Sequence, residues 1–416
     1  MFLIRIFFFI CFFNQVCFAD LPEETVYLTW QNDPTTTMTI QWLSSLEDEL
    51  STVHYRNAED YNWQTVNGFA TQFPHSKNLL IHRVELAKLK PGGKYFFQFS
   101  SKQKTYLFTT MPSDLSDPIR FVVGGDMYHD SIDLMIEMCH QAAKTEPDFA
   151  LLGGDIAYTV SSSNQTFQNI ERWVQWLKAW SSSMVTEGGK LIPVIAAVGN
   201  HDVTGHFDQT PAQAKIFSSL FPMPGERIYN VLDFNNYLSL WIMDSGHANS
   251  IAGPQTQWLK QTLDSRQDVK HRLAIYHVPA YPSVRDMNNK YSSEIRRHWV
   301  PLFENGGLQT AFENHDHAYK RTYPLLKNKP HEKGIVYIGD GAWGVEKPRA
   351  MKCRKIPFFI AKFAALRHVT VVTLSPDYQH YISINNLGKK IDEYYRPFQI
   401  QPSEKIEEQE LQEVPA

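Results

Sequence analysis

Five short apolar runs between residues 119 and 312 each lead directly into residues of the types that bind metal ions. The first two runs end in Gly-Gly-Asp, at Asp126 and Asp155, and the third ends in the Gly-Asn-His-Asp that begins at Gly199. The fourth run ends at His277, and the fifth leads into the Asn-His-Asp-His that begins at Asn314. Buried strands of an α/β sheet read as such apolar runs, and ligands bind beyond the carboxyl ends of those strands. The pattern therefore predicts one site, built at the rim of a sheet.

Helical stretches alternate with these runs, for example at residues 131–144 and 168–181, and this alternation predicts an α/β domain. Two further alternating segments, 369–374 and 380–384, suggest that a second sheet completes the domain. We assign residues 118–398 to this domain. The segment 399–416 is acidic and has no aromatic residue, so we expect a mobile tail there.

Short strand-like runs rich in Thr, Val and Tyr, with turns between them, fill the chain from Glu24 to Met111. Their alternation and regular turn spacing predict a small β-sandwich, which we assign to residues 20–113. The stretch that follows Met111, Pro-Ser-Asp, has the composition of a linker. A length of 416 residues is consistent with this division into two domains.

The first 19 residues have the pattern of a signal peptide. The run from Met1 to Phe13 is apolar apart from one arginine, and Cys17 and Ala19 supply small residues before a cleavage site. We therefore expect an exported protein, either secreted or periplasmic, with no membrane anchor after cleavage. A transmembrane anchor is the alternative, but the run is shorter than the ~18 residues that a spanning helix needs and is soon interrupted by Asn14 and Gln15.

Composition excludes several other classes of protein. A formal net charge of −4 offers no basic surface for nucleic acid, so we expect no nucleic-acid partner. Of the four cysteines, only Cys139 and Cys353 lie beyond the signal peptide; they either form one disulfide or stay free as buried thiols. The sequence contains no paired cysteines of the zinc-finger type. It leaves the oligomeric state open.

The residue types at the ends of the five runs fit a transition-metal site. Carboxylate, imidazole, amide and phenol groups together suit such metals, whereas calcium binds oxygen ligands alone. Tyr158 follows Asp155 by three residues, and His315 and His317 are two apart, so that in an extended segment they point the same way. Each residue taken singly has an ordinary alternative: an aspartate can cap a helix, and a tyrosine or histidine can simply pack in the core. The argument depends on their occurrence together.

The order Gly-Asp, Gly-Asp-x-x-Tyr, Gly-Asn-His-Asp, Tyr-His and His-x-His-Ala-Tyr resembles that of the purple acid phosphatases, within the calcineurin-like metallophosphoesterases. The resemblance covers nearly the whole mature chain, because plant-type members also carry an N-terminal sandwich of the fibronectin type III kind. It implies an α/β four-layer metallophosphoesterase sandwich, with two mixed sheets flanked by helices, preceded by a small all-β sandwich domain.

The resemblance also implies the metals and their ligands, namely a ferric ion and a second ion that is zinc, manganese or iron. The implied ligands are Asp126, Tyr158 and His317 for the ferric ion, and Asn200, His277 and His315 for the second ion. Asp155 is implied to bridge the two ions. His201 is implied to bind the phosphate and to help protonate the leaving alkoxide, and we expect Asp202 to hold this histidine.

The implied function is acid hydrolysis of small phosphate monoesters by a hydroxide nucleophile that the dinuclear centre generates. Two alternatives stay open: a phosphodiesterase or nucleotide pyrophosphatase with the same site, and a secreted binding protein with a degenerate phosphatase domain. Two departures from the family pattern, together with a β-sandwich of the kind that often mediates adhesion, favour the second alternative, and a third departure lies in the last motif. Tyr128 and Asn314 stand in place of glycines, and Lys320 stands where the family often has glutamate. We expect these departures to affect loop shape and substrate access rather than ligand identity.

Overall fold

A computed structural model of the chain describes residues 21–48, 50–99, 104–225, 227–352 and 355–398. The predicted signal peptide, the predicted tail, and Cys353 with its possible pairing to Cys139 lie outside these residues. Cys139 itself is buried and forms no disulfide with another described residue. None of the helices in the described ranges has the length and hydropathy needed to traverse a bilayer.

The N-terminal part folds into two four-stranded antiparallel sheets, with strand orders β1-β2-β6-β5 and β4-β3-β7-β8. Its elements are α1 (Leu21–Glu24), β1 (Tyr27–Thr29), β2 (Met38–Ser45), β3 (Thr52–Asn57), β4 (Gln64–Asn67), β5 (Phe69–Gln72), β6 (Leu79–Leu86), β7 (Lys94–Phe99) and β8 (Tyr106–Thr109). Alternation along β7 shows why these segments are strands. Every second residue of β7 is buried, and Phe97 stacks on Tyr106 of β8 with ring centroids 5.0 Å apart.

The C-terminal part is built on two mixed sheets. Its strands are β9 (Ile119–Gly124), β10 (Phe149–Leu152), β11 (Val194–Ala196), β12 (Asn230–Phe234), β13 (Leu238–Ile242), β14 (His271–Ile275), β15 (Thr310–Glu313), β16 (Tyr319–Thr322), β17 (Leu325–Leu326), β18 (Lys329–Pro330), β19 (Val336–Gly339), β20 (Ile360–Ala364), β21 (His368–Leu374), β22 (Tyr378–Asn385) and β23 (Lys390–Pro397). The first sheet has the order β11-β10-β9-β21-β22-β23, and the second has the order β12-β13-β14-β15-β19-β16-β20. Strands β17 and β18 form a separate hairpin.

Helices cover the outer faces of both sheets. They are α2 (Ile132–Ala143), α3 (Ile170–Ser183), α4 (Lys215–Leu220), α5 (Pro254–Asp264), α6 (Lys290–His298) and α7 (Val300–Asn305), with 3₁₀ helices at Asn200–Asp202 and Pro211–Ala214. Helices α2 and α3 share a buried apolar cluster with the first sheet, and α5, α6 and α7 share another with the second sheet. A third cluster lies between the two sheets. The result is four layers, in the order helices, sheet, sheet, helices.

The prediction that segments 369–374 and 380–384 complete a second sheet is wrong. These segments are β21 and β22, and β21 pairs antiparallel with β9, placing Val371 opposite Val122 in the first sheet. The second sheet is formed instead by β12 to β16, β19 and β20. Alternation shows that a strand has one face more buried than the other, but it does not show which neighbour the strand pairs with.

The N-terminal sandwich packs directly on the C-terminal part, so the two parts share one core. The Trp30 ring contacts those of Phe149 and Phe234, at centroid distances of 6.0 and 6.2 Å. The Tyr27 hydroxyl donates a 2.8 Å hydrogen bond to the carbonyl of Leu220. One continuous cluster of buried residues runs from the sandwich into the space between the two large sheets.

Candidate metal centre

Three of the predicted ligands form one compact group. The Tyr158 hydroxyl lies 2.7 Å from Oδ1 of Asp126 and 3.2 Å from Nε2 of His317, and the same Nε2 lies 2.9 Å from Oδ1 of Asp126. Asp126 follows β9, Tyr158 follows β10, and His317 follows β15. Strands of both sheets therefore supply this group, rather than the rim of one sheet.

Three other predicted ligands form a second group beside the first. Nε2 of His277 lies 3.2 Å from Oδ1 of Asn200 and 3.0 Å from Nδ1 of His315. Two ligand atoms that are each about 2.1 Å from one ion, at angles between octahedral and tetrahedral, lie about 3.0–3.4 Å apart. The spacings of 3.0 and 3.2 Å in the second group fit a shared ion. In the first group the 3.2 Å spacing also falls in this range, whereas the 2.7 and 2.9 Å spacings are those of hydrogen bonds among the same side chains.

Asp155 joins the two groups. Its Oδ1 accepts a 2.7 Å hydrogen bond from the backbone N–H of His201, whereas its buried Oδ2 has no hydrogen-bond partner among the described residues. This Oδ2 lies 3.2 Å from Nε2 of His277, and ligand atoms of Asp155, His277 and His315 all fall within 4.8 Å of one another. A buried carboxylate oxygen without a hydrogen-bond donor is costly unless a cation satisfies it. The residues present therefore fit a metal centre.

Backbone conformation marks the same residues. Five of the seven predicted ligands have a left-handed backbone, which residues with side chains rarely adopt; they are Asp126, Asp155, Tyr158, His315 and His317, with φ values of 55°, 53°, 49°, 76° and 60°. Such conformations cost free energy and concentrate at functional sites, where the surrounding structure imposes them. The strain thus supports a binding role for this cluster.

Neighbouring backbone fixes the orientation of the ligands. Nδ1 of His277 donates a 2.8 Å hydrogen bond to the carbonyl of Gly153, which leaves Nε2 to face the other ligands. Gly199 and Gly341 are needed because a Cβ atom at Gly199 would collide with the Asp155 carboxylate, and one at Gly341 with that of Asp126. Gly199 is therefore required for steric reasons, which explains the glycine of the Gly-Asn-His-Asp motif.

Protonation of the cluster is linked to metal binding. Burial lowers the pKa of His277, but the charges of Asp155 and Asp126 outweigh it and raise that pKa to about 9. Since a histidine must lose its proton to bind a metal through Nε2, metal uptake near neutral pH would release a proton from His277. Burial and the nearby carboxylates likewise raise the pKa of the Tyr158 hydroxyl well above its usual range.

His201 faces a cavity beside the ligand groups. The cavity has a volume of about 460 Å³, and its lining includes His201, Tyr158 and His129. The His201 ring stacks on that of Tyr158 at 4.6 Å, and its Nδ1 donates to the carbonyl of Val160. Because a carbonyl only accepts hydrogen bonds, Nδ1 carries the proton of this contact and Nε2 is the other atom available for proton transfer.

The expectation that Asp202 holds His201 is wrong. Asp202 instead accepts 3.0 Å hydrogen bonds from the backbone N–H groups of Ile156 and Gly199, and so fixes the two loops that carry Asp155 and His201. Burial and the charge of Asp155 raise the pKa of Asp202 to about 8. The two neighbours in sequence point apart because they belong to one turn of 3₁₀ helix.

The first two departures from the family pattern, Tyr128 and Asn314, are buried and do not line the cavity beside His201. The Tyr128 ring packs under the Arg172 guanidinium at 3.7 Å, and its hydroxyl donates to Gln175. Asn314 is 1% exposed and donates a 3.1 Å hydrogen bond to the carbonyl of Tyr276. The expected effect of these two residues on substrate access therefore finds no support in their positions.

Lys320, the third departure, is fully buried in an ion cluster. Its Nζ lies 2.5 Å from Glu313 and 3.0 Å from Asp340. The carbonyl of Asp340 accepts a 2.7 Å hydrogen bond from the backbone of His317. The lysine thus neutralises two carboxylates that support the segment carrying His315 and His317.

Several residues near the centre were not predicted from the sequence. His129 contacts the rings of Tyr158 and His317, with both centroid distances at 4.8 Å. Arg285 and Arg349 both bind the backbone of the segment 315–317. These residues belong to no recurring motif, so only the folded chain brings them to the site.

Models of two protein families match the chain. Residues 23–110 match the purple acid phosphatase N-terminal domain, and residues 119–319 match the calcineurin-like phosphoesterase. Purple acid phosphatase 21 of Arabidopsis thaliana is 24% identical over 283 residues, which are 66% of this chain and 61% of that protein. Acid phosphatase type 7 of Mus musculus is 22% identical over 372 residues, which are 79% of this chain and 80% of that protein.

Solved structures show the same fold. The purple acid phosphatase PPD1 of yellow lupin (Lupinus luteus) superposes with a TM-score of 0.71 at 15% identity, over 89% of this chain and 73% of that one. The fold class predicted from the sequence is confirmed by this likeness together with the two family matches.

With its two mixed sheets and its clustered ligands, the chain is a calcineurin-like metallophosphoesterase. Because the N-terminal sandwich also matches, it belongs among these to the purple acid phosphatases. The chain spans about three fifths of the Arabidopsis relative, 61% of its length.

Proposed function

We propose that this protein hydrolyses small phosphate monoesters at a dinuclear metal centre. In this proposal Asp126, Tyr158 and His317 bind a ferric ion, and Asn200, His277 and His315 bind a second ion that is zinc, manganese or iron. Asp155 bridges the two ions. Family membership and the two compact ligand groups support these assignments.

One observation carries the proposal: the buried Asp155, which has a left-handed backbone, lies between two groups of predicted metal-binding side chains, and its Oδ2 has only Nε2 of His277 beside it, at 3.2 Å. A purely structural aspartate would be held by donors from outside the cluster, whereas the only group beside this oxygen is His277, itself a predicted ligand. As a bridging ligand, Asp155 would exchange this pairing with His277 for the charge of the two ions.

The chain's own residues then have separate tasks. His201 places Nε2 at the cavity beside the ligands, where it would bind the phosphate and deliver a proton to the leaving oxygen. Asp202 holds the loops of Asp155 and His201 together through backbone hydrogen bonds. The chemistry that the metal pair supplies when bound is Lewis acidity toward the phosphoryl oxygens and a more acidic water nucleophile.

The positions of Tyr128 and Asn314 disfavour the alternative of a degenerate binding protein. That alternative rests in part on these two residues distorting the site, and both are buried, with neither lining the cavity beside His201. We further propose that the protein is exported by the signal peptide at residues 1–19.

Metal analysis combined with Asp155→Asn tests the proposal. Outer-sphere changes at metal sites cost about 10–100-fold, so loss of a bridging ligand is expected to lower activity more than 100-fold and to remove at least one ion. Asp264→Asn, at an exposed position on α5, is the matched control and should change neither. Full activity and full metal content in Asp155→Asn would rule out the proposed centre.

Initial rates on a chromogenic monoester and a chromogenic bis-ester separate the proposed monoesterase from the phosphodiesterase alternative. The proposal requires the higher kcat/KM on the monoester in the acid range. A higher kcat/KM on the bis-ester would favour the phosphodiesterase alternative and would not contradict the proposed metal centre.

A further inference from the structure

Arg285 lies beside the metal-ligand segment 315–317 and is fixed there. Its Nη2 donates a 3.2 Å hydrogen bond to the carbonyl of His315, and its Nε lies 3.3 Å from Oδ1 of the fully buried Asp316. Oδ2 of Asp316 also accepts from the backbone N–H groups of Val284 and Arg285, at 2.7 and 3.1 Å. Because the side chain remains 36% exposed, Arg285 can still reach a ligand.

The loop that carries Arg285 is braced from the other side by Arg296. One Arg296 nitrogen donates to the carbonyl of Ala280 and another to that of Met287, at 2.6 Å for the latter. Arg296 is therefore occupied by backbone and does not face the ligands. The position of Arg285 is thus set by two independent sets of contacts.

Arg349 reaches the same segment from the loop that follows β19. Its backbone N–H donates a 2.8 Å hydrogen bond to the carbonyl of His317. Its guanidinium makes no hydrogen bond with any other part of the chain that the structure describes, although the side chain is only partly exposed. Five N–H donors are thus left for a ligand at this position.

The two guanidinium groups act on each other and on the predicted ligands. Burial and, next to it, the charge of Arg285 lower the pKa of Arg349, whereas Asp126 and Tyr158 raise it. Because both arginines contact the segment 315–317, their charges lie close to one another, and an anion bound beside them would reduce their repulsion.

We propose that Arg285 and Arg349 form a guanidinium pair that binds the phosphoryl group of the substrate. Neither arginine lines the cavity beside His201, so the pair would hold non-bridging phosphoryl oxygens from the side of the segment 315–317. Planar guanidinium groups suit such oxygens because they donate paired hydrogen bonds. This inference rests on the proposed function for the identity of the substrate. Its test requires only the binding of inorganic phosphate.

Calorimetric titration of the metal-loaded, full-length protein with inorganic phosphate tests the pair without requiring turnover. Arg349→Gln is the main variant, because its side chain supports no other described residue through a hydrogen bond. We expect its phosphate affinity to fall about 10- to 100-fold, since charge-assisted hydrogen bonds are lost. Metal content should stay unchanged. Arg349→Lys should show a smaller loss, because lysine restores the charge but not the paired donors.

Arg297→Gln is the matched control, since it removes the same charge from an exposed position on α6 and should leave phosphate affinity unchanged. Arg285→Gln is expected to weaken phosphate binding too, and its metal content is measured because Arg285 also contacts His315 and Asp316. Phosphate affinity in Arg349→Gln equal to that of wild type, or no phosphate binding by the metal-loaded wild type, would overturn the inference.

The outcomes separate this inference from the proposed function. Weakened phosphate binding in Arg349→Gln supports the pair even where the metal-loaded wild type turns over no ester, a result that would refute the proposed function alone. Unchanged phosphate binding in a wild type and variant that both hydrolyse monoesters would refute the pair alone.

Discussion

Tyr158 combines a left-handed backbone, near-complete burial and a hydroxyl that contacts both Asp126 and His317. If these three residues bind a ferric ion, the phenolate gives a visible charge-transfer band. Tyr158→Phe is therefore expected to remove that band while the far-ultraviolet circular dichroism spectrum stays that of the wild type. Absorption spectroscopy of the purified, iron-loaded protein checks this.

Tyr381→Phe is the control for this prediction, because Tyr381 is buried in the core and its hydroxyl contacts Thr310 and Gln379 away from the ligands. It should keep the band. A band of full intensity in Tyr158→Phe would assign the iron to other ligands.

At the scale of single residues, motifs predict which side chains gather at one site better than they predict side-chain partners. The seven predicted ligands, which the family resemblance implies, follow strands whose ends meet, and their binding of metal stays a prediction. The partner of His201 could not be predicted, because Asp202 is its neighbour in sequence while the carbonyl it binds, at Val160, arrives from another loop. Arg285 and Arg349 are 64 residues apart, in loops with no repeating pattern. No local sequence pattern therefore predicts that they lie near each other.

At the scale of elements, Asn314 links the ends of four strands. It follows β15, donates to the carbonyl of Tyr276 after β14, and fills the space above Gly125 and Gly153, where a Cβ atom at either glycine would collide with its amide. The asparagine amide therefore fills the space that side chains at these two positions would otherwise occupy. Its position explains why a larger residue is accommodated where the family has glycine.

Asn314→Gly is accordingly expected to destabilise the protein rather than to open the site. Loss of a buried hydrogen bond and the added freedom of glycine predict a decrease of about 1–3 kcal/mol in the free energy of unfolding. Denaturant unfolding measures the change, and metal analysis of the same samples should show unaltered stoichiometry. Unchanged stability with altered kcat/KM would instead place Asn314 at the substrate.

Strand existence could be predicted from alternation, but strand partnership could not. Segment 369–374 was expected in a second sheet and instead pairs with β9, because the chain returns from the second sheet to the open side of the first. Helix starts were more predictable, since they depend on local chemistry. The Ser131 side chain accepts a hydrogen bond from the N–H of Asp133 and so caps α2.

At the scale of the whole molecule, the shared core makes the sandwich part of the folding unit. Trp30 is 5% exposed and packs on Phe149 and Phe234 of the large domain. Trp30→Ala is expected to lower the free energy of unfolding by about 3–5 kcal/mol. Because both parts share that core, we also expect a single cooperative transition in calorimetry. Two separate transitions, with only the earlier one shifted by the substitution, would show that the two parts unfold independently.

Buried neutral histidines set how the whole fold responds to acid. Burial lowers the pKa of both His271 and His368 to about 4, below their ordinary value of 6.5. His271 is also held in its neutral form, since Gln379 donates to its Nδ1 and its Nε2 contacts the carbonyl of Ser375, both at 3.0 Å. Between pH 6.5 and 4 the unfolded chain therefore binds more protons than the folded one at these positions. Their contribution to stability is complete above pH 6.5 and is lost as the pH falls.

The loss amounts to about 3 kcal/mol per histidine at pH 4. We expect the free energy of unfolding of metal-free protein to decrease over that range, and to decrease less steeply in His271→Gln, which cannot take up the proton. Denaturant unfolding at a series of pH values measures both slopes, and His140→Gln, at an exposed position on α2, should follow the wild type. Parallel slopes for wild type and His271→Gln would exclude His271 as a source of acid sensitivity. Because a bound metal stabilises only the folded state, we expect the metal-loaded protein to have a higher free energy of unfolding than the metal-free protein at neutral pH.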